Sequence, residues 1–267
     1  MNEPQNISDI INSLSSDELS TFVLKQLGLR VEKLKEQGGR KESDFLAYYN
    51  DEIFLIEAKV KQDDQKEVVK REETLSKGEV YLKDETLGRK KSISVKLENA
   101  RDQLISSSEF HKHDLRIIFH FSRGINPKAK CEQARDTLLG RTEIFNMKDA
   151  TCKPCYFFRK SDFYEYRDAF DAAIVGYVDG SGKMNLNIYL NPFSPRYEEA
   201  KQSEYLTHHS ALDPIAEEAN GRAYMPDQGI NIENLQAILE NLYEKYNNKM
   251  IRHIDFNAPQ IAIRIKD

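Results

Sequence analysis

The stretch at residues 43–60 limits the possible folds more than any other part of the chain. Two runs rich in Phe, Tyr, Leu and Ile flank an Asn-Asp pair at positions 50–51, which predicts a β-hairpin. With a two-residue loop, Asp44 lies opposite Glu57 on the partner strand. Because side chains two apart on a strand share a face, Lys59 lies on the same face as Glu57. The hairpin therefore brings two carboxylates and an ammonium group together.

Two acids held side by side on a sheet repel each other and destabilise it. At a separation of about 5 Å and an effective dielectric constant near 20, the repulsion costs roughly 3 kcal/mol. A divalent cation would reverse the sign of this interaction, and carboxylate oxygens suit Mg²⁺ or Mn²⁺. The alternative is a surface hairpin whose acids are hydrated and whose lysine pairs with one of them. The run at residues 53–56 is apolar on both faces, which favours a buried strand and hence the metal site.

The order and spacing of these residues resemble the PD-(D/E)XK, or restriction-endonuclease-like, nuclease superfamily. The resemblance covers roughly residues 8–122 and depends on three segments: Gly38-Gly39, Ser43-Asp44-Phe45 and Ile56-Glu57-Ala58-Lys59. It implies that Asp44, Glu57 and the carbonyl group of Ala58 hold Mg²⁺, and that Lys59 is the catalytic lysine. Ser43 stands where the family often has a proline.

The resemblance also implies a fold. We expect an α/β protein in which residues 1–125 form a restriction-endonuclease-like core, an αβββαβ mixed sheet flanked by helices. Residues 126–267 would form an α+β C-terminal extension or subdomain packed on the core, although no linker marks a boundary at position 125. Hydrophobic periodicity predicts helices at 7–27 and 92–108, and a strand near 29–37. Residues 115–121 read as a buried strand, parallel to an earlier one through a right-handed crossover.

The second half carries weaker patterns. Residues 128–139 and 231–247 are predicted as helices, residues 170–191 as a second hairpin, and residues 260–265 as a closing strand. The charged stretch at 61–91 is either a hydrated, partly helical insertion or a flap whose basic end, residues 89–91, contacts phosphates. His120, in the predicted strand at 115–121, is expected to be a packed core histidine.

Two helical positions are further site candidates. Glu18 fits a capping box that begins at Ser15, and under the resemblance it also fits a first-helix glutamate, about ten residues before Gly28, that joins the metal site. Both interpretations of Glu18 stay open. Gln103 and Lys96 share one stripe of the second helix. The resemblance places a Gln or Lys from this helix near the scissile phosphate, and the alternative is that both are ordinary exposed side chains.

Composition limits the partners. The 267 residues are 39% hydrophobic and 31% charged, which is typical of a globular protein, and no apolar run approaches the roughly 18 residues of a membrane helix. A net charge of −5 argues against a uniformly basic nucleic-acid coat but leaves room for a local basic groove. Three cysteines indicate a reducing, cytoplasmic setting. Cys152 and Cys155, with Cys131 as a third sulfur, could form part of a zinc site.

These patterns lead to one favoured function and two rivals. The favoured function is a Mg²⁺- or Mn²⁺-dependent nuclease that hydrolyses phosphodiester bonds, with DNA favoured over RNA as the substrate. In it Asp44 and Glu57 would hold the metal, Lys59 would position or deprotonate the attacking water, and the second half would supply recognition or homodimer contacts. The first rival is an inactive nuclease-like fold that binds nucleic acid or protein. The second is a zinc-stabilised interaction protein.

Overall fold

The computed structural model describes residue 11 and residues 13–35 and 42–264. In chain order its first elements are α1 (Ser16–Gln26), β1 (Arg30–Lys33), β2 (Phe45–Tyr49), β3 (Glu52–Lys61), α2 (Gln65–Ser76), β4 (Tyr81–Thr86), α3 (Lys91–Ser108), β5 (Leu115–Ser122) and α4 (Pro127–Leu139). The next are β6 (Thr142–Asn146), β7 (Thr151–Cys155), α5 (Asp162–Glu165), β8 (Ala172–Val178), β9 (Met184–Leu190), α6 (Tyr197–Gln202), α7 (Glu204–His208), α8 (Pro214–Ala219), α9 (Leu235–Lys245), β10 (Ile251–Ile254) and β11 (Asn257–Ala262).

A six-stranded mixed sheet forms the centre, in the order β1-β2-β3-β5-β8-β9. The strand β2 is antiparallel to both β1 and β3, the strands β3, β5 and β8 run parallel to one another, and β9 returns antiparallel to β8. The protein therefore belongs to the α/β class, with helices flanking a mixed sheet. Both the crossover to a parallel β5 and the second hairpin, β8 with β9, are confirmed. The sheet takes β8 and β9 from the chain beyond position 125, so its strands are shared between the two halves of the sequence.

The hairpin of β2 and β3 has the predicted register. Tyr49 pairs with Glu52 and Phe45 pairs with Ile56, which leaves positions 50–51 as the loop. Asn50 adopts a left-handed backbone conformation with φ of 49°, which asparagine tolerates better than most residues. A two-residue turn fixes how the residues of β2 pair with those of β3. This register places Asp44, just before β2, beside Glu57 of β3.

Hydrophobic cores lie on both faces of the sheet. On one face, α1 packs Leu19 and Val23 against Phe54 and Ile56 of β3. On the other face, α3 and α4 pack against Leu55 of β3 and its neighbours on β5 and β8. The alternation along β3 places the side chains of residues 55, 57, 59 and 61 on the α3 side, where the apolar run ends in polar residues.

Helix α3 separates its apolar and polar side chains. Ile93, Leu97, Ala100 and Leu104 are buried in the core beneath it. The polar residues Lys96, Gln103 and Ser107 follow one another at spacings of seven and four, which keeps them on a common stripe of the helix. This stripe runs beside the polar half of β3.

Two smaller sheets accompany the central one. A three-stranded sheet, in the order β10-β6-β7, packs with α9 around a third core. A two-stranded sheet pairs β4 with β11 antiparallel. The charged stretch at 61–91 therefore contains the helix α2 and the strand β4, and the predicted closing strand joins this insertion rather than the central sheet. The segment at positions 38–39, one of the three on which the resemblance depends, and the start of the predicted first helix lie outside the described residues.

Within the described part of the chain, no helix combines the length and the apolar character needed to cross a bilayer.

Candidate functional site

Asp44 is held at the start of β2 by two backbone contacts. Its carboxylate Oδ2 accepts a hydrogen bond from the backbone N–H of Ala58 at 2.8 Å. Its carbonyl oxygen accepts a second from the N–H of Leu34, at 2.9 Å. The first contact ties the aspartate side chain to β3 between Glu57 and Lys59. The structure thus brings Asp44, Glu57 and Lys59 together, as the hairpin register predicts.

Glu57 is fully buried in the middle of β3. Its Oε1 accepts a hydrogen bond and ion pair from Lys59 Nζ, and the same ammonium group donates to Gln103 Oε1 at 3.1 Å. Glu57 Oε2 is also buried and has no hydrogen-bond partner among the described residues. The facing Asp44 carboxylate is an acceptor, so it can satisfy this oxygen only if a proton or a cation lies between the two acids.

The pKa values of both acids reflect this arrangement. Burial, followed by the negative charge of Asp44, raises the pKa of Glu57 to about 8, and the Lys59 ammonium acts in the opposite direction. Burial also raises the pKa of Asp44, while the Ala58 N–H and the Lys59 charge oppose the shift. Without a cation, the pair therefore keeps a proton at neutral pH. A divalent cation would replace that proton and allow both acids to ionise.

The donor set fits a hard divalent cation with few protein ligands. Across residues 13–35 and 42–264, no three His, Cys, Asp or Glu side chains lie together as a metal-binding group. A cation here would use the carboxylates of Asp44 and Glu57 and the carbonyl group of Ala58, with water completing its shell. Mg²⁺ is commonly bound through one or two carboxylates in this way, and the Glu57 oxygen without a partner among the described residues would be one such ligand.

Gln103 links the acidic pair to a second buried group. Its side-chain Nε2 donates to the carbonyl oxygen of Glu42 at 3.0 Å. The Glu42 carboxylate in turn lies 3.2 Å from Ser107 Oγ and 3.2 Å from His111 Nε2. Ser107 Oγ also accepts a hydrogen bond from the N–H of Ser43 at 2.6 Å. Helix α3 therefore fixes the backbone segment that carries Asp44.

Sequence reasoning missed this supporting network. Glu42, Ser107 and His111 have no motif spacing, and their contacts join residues that are more than 60 positions apart in the chain. The one available signal was the polar stripe on α3, which includes Gln103. The structure brings Gln103 within hydrogen-bond distance of the predicted catalytic lysine.

Glu18 lies on α1 and caps it. Ser15 N–H donates to Glu18 Oε2 at 2.9 Å, and Glu18 N–H donates to Ser15 Oγ at 3.3 Å, which completes the capping box. The α1 acid whose charge reaches the site is its neighbour Asp17, which contributes to the raised pKa of Asp44. Asp17 also forms an ion pair with Lys33 of β1. The structure therefore assigns Glu18 to the helix start.

The remaining candidates are dispersed. Arg89 donates to Ser94 Oγ at 2.6 Å and to the buried Asp162 at 3.1 Å, so one of the three basic residues at positions 89–91 is held in an internal contact. Cys152 and Cys155 are three residues apart on β7, so they face opposite sides, and Cys152 is exposed while Cys155 is buried. The structure does not bring these two thiols together.

A basic group adjoins the acidic pair along β3. Lys61 follows Lys59 on the same face, and Lys96 of α3 lies close enough for the charges of Lys61 and Lys59 to help partial burial lower its pKa. Glu57, Lys59 and Lys61 thus follow one another along one face of β3, and Lys96 of α3 adds a further positive charge beside them.

Comparisons of the chain with protein-family models, with curated proteins and with solved structures gave no significant match.

Proposed function

We propose that this protein is a Mg²⁺- or Mn²⁺-dependent nuclease that hydrolyses phosphodiester bonds in nucleic acid, with DNA as the preferred substrate. One observation carries the proposal: Asp44 and Glu57 converge beside Lys59, and the buried Glu57 has an oxygen without a partner among the described residues. A fully buried glutamate whose pKa is strongly raised, beside a second acid, is costly for stability, and such groups are concentrated at functional sites.

The restriction-endonuclease-like core is part of the same proposal. The order α1-β1-β2-β3, followed by α3 and β5, matches the helix, three-strand meander, helix and parallel strand that the family resemblance implies. The insertion of α2 and β4 between β3 and α3, and the two extra strands β8 and β9, would be additions of this chain to that core.

The roles of the residues follow from their contacts. A divalent cation held by Asp44, Glu57 and the Ala58 carbonyl would stabilise negative charge that develops on the phosphate. Lys59 already donates to Glu57, and its ammonium group would orient an attacking water or balance charge on the phosphoryl oxygens. Gln103 accepts a hydrogen bond from Lys59 and so restricts where the ammonium group points. Burial of Glu57 lowers the local dielectric constant, which strengthens the attraction between its carboxylate and a bound cation.

A plasmid-nicking assay tests the proposal directly. Supercoiled DNA should be nicked with Mg²⁺ or Mn²⁺, remain intact with chelator, and remain intact with the Lys59→Ala variant. Lys112→Ala, at an exposed position before β5, is the matched control and should nick as the wild type does. Removing the charge of Lys59 should lower the rate by a factor on the order of 10²–10⁴, as expected for a group that acts on the transition state.

Two outcomes would count against the proposal. Nicking that persists in chelator or in Lys59→Ala would assign the activity to another centre or to a contaminant. DNA binding without any metal-dependent cleavage of DNA or RNA would instead identify a nuclease-like fold that serves as a binding module.

A further inference from the structure

The strands β3 and β5 place four polar side chains next to each other beyond the acidic pair. In the parallel register, Lys59 pairs with His120 and Lys61 pairs with Ser122. Paired residues on neighbouring strands project from the same face, and strands lie about 4.8 Å apart, so these side chains are direct neighbours. The polar surface around Glu57 therefore continues across β5 towards the carboxyl end of both strands.

Two of these side chains are buried. His120 is 2% exposed and Ser122 is fully buried. Neither His120 Nε2 nor Ser122 Oγ has a hydrogen-bond partner in the part of the chain that the structure describes. Leaving such a buried polar atom without a hydrogen bond is unfavourable, so each of them favours a bound group that supplies the missing hydrogen bond.

Positive charge lies near His120. The charges on Lys96 and Lys61 both act on the His120 ring, after burial, to lower its pKa. The described neighbours that shift the pKa of Lys96 are Lys61 and Lys59, and no acidic side chain is among them. The net charge of the chain is −5, so the positive charge of Lys61 and Lys96 beside His120 is opposite in sign to that of the protein as a whole.

The chemistry of the group formed by Lys61, Lys96, His120 and Ser122 is selective. Lysine ammonium groups only donate hydrogen bonds, a serine hydroxyl can donate, and a neutral imidazole has one N–H. Such a set suits a tetrahedral oxyanion that carries several acceptors and no donors. It suits a metal ion poorly, because two of its four members are cations.

We propose that Lys61, Lys96, His120 and Ser122 form a binding subsite for a backbone phosphate of the nucleic acid, beside the phosphate that is attacked at Glu57 and Lys59. The identity of the ligand as a nucleic acid rests on the proposed function. The two lysines supply the charge, and His120 and Ser122 supply hydrogen bonds from the floor of the subsite. The subsite would fix which phosphodiester bond reaches the acidic pair.

The test is metal-free DNA binding by the full chain as a function of salt. A short labelled duplex is titrated by fluorescence anisotropy in chelator over a series of KCl concentrations. The Lys61→Gln, Lys96→Gln double variant should reduce the slope of log affinity against log salt by about one, because both lysines bind the same phosphate and one lost phosphate contact removes about 0.9. Lys249→Gln, which removes an exposed charge near β10, is the matched control and should leave the slope unchanged.

Substitutions at the floor separate binding from stability. Ser122→Ala and His120→Leu each remove an unpartnered polar atom, so neither should lower the melting temperature. Each should weaken duplex binding by about tenfold without changing the salt slope, because no charge is lost. A side chain that is merely packed in the core would show no effect on binding.

The outcomes are distinguishable from those of the nicking assay. Wild-type affinity and slope in the lysine and floor variants, or an equal loss in Lys249→Gln, would overturn the subsite even if the protein cleaves DNA. If the lysine double variant shows the smaller salt slope and the floor variants bind more weakly, but the wild-type protein does not cleave DNA, the results would support the subsite and contradict the nuclease.

Discussion

Gln103 on α3 and Lys59 on β3 are joined by a hydrogen bond of 3.1 Å from the lysine Nζ to the amide oxygen. The amide nitrogen of the same side chain donates to the carbonyl oxygen of Glu42. Gln103 therefore bridges the predicted catalytic lysine and the segment that leads into Asp44. The bridge gives the helix a direct influence on the geometry of the site.

Replacing Gln103 should impair catalysis more than substrate binding. Gln103→Met keeps the length of the side chain but removes both hydrogen bonds, so the Lys59 ammonium group becomes less restricted. We expect kcat to fall by about 10- to 100-fold with KM nearly unchanged, as for a residue that positions a catalytic group. Asn99→Ala, one turn away on the exposed surface of α3, should leave both constants unchanged. A parallel rise in KM would show instead that Gln103 contacts the substrate.

The raised pKa of Glu57 predicts a specific pH dependence of stability. In chelator, the folded protein keeps the Glu57 proton up to about pH 8, whereas the unfolded chain releases it near pH 4.5. Between these values the folded state binds the extra proton, so its stability falls as pH rises, by up to about 1.4 kcal/mol per pH unit. Urea unfolding at pH 5.5, 7 and 8.5 measures this slope.

The variant Glu57→Gln isolates that contribution. Because a glutamine side chain cannot ionise, the variant should lose the downward slope that the wild type shows and should be the more stable protein at pH 8.5. Equal slopes in the two proteins would mean that Glu57 is already ionised in the folded state at neutral pH.

Divalent cations should stabilise the protein most at alkaline pH. A cation and the shared proton compete for the same two carboxylates, so the apparent affinity for Mg²⁺ should increase as pH rises from 6 to 8. The melting temperature should therefore increase more on adding Mg²⁺ at pH 8 than at pH 6. Asp44→Asn should abolish the increase, while Asp17→Asn, on the neighbouring helix, should largely retain it. A Mg²⁺ effect that survives in Asp44→Asn would place the cation elsewhere.

The pairing of β4 with β11 predicts that the insertion depends on the C-terminal strand. A two-stranded sheet is marginal by itself, so removing residues 257–267 should leave β4 without a partner and expose the insertion to protease. Limited proteolysis should then cut within residues 77–90, while the melting temperature of the central sheet should change little. Removing only residues 263–267 keeps β11 and is the control. Equal protease resistance in both truncations would show that α2 alone secures the insertion.

Local and distant parts of the site differed in how well the sequence predicted them. The convergence of Asp44, Glu57 and Lys59 follows from a two-residue turn and the two-residue period of a strand, both of which act over a few residues. The Glu42–His111 contact and the partner of β11 depend on how separate segments pack, and no local pattern encodes that. The sequence left two interpretations of Glu18 open, because glutamate serves both in a capping box and as a metal ligand.

The separation between β4 and β11 also bears on how the molecule forms. About 170 residues must be organised before these two strands can meet, so closing this loop has a large entropic barrier compared with forming the β2–β3 hairpin. During refolding, the central sheet should assemble first and the insertion should be captured in a later, slower phase. Until that phase is complete, a nascent or refolding chain would hold its acidic pair in place with the neighbouring insertion still unsecured.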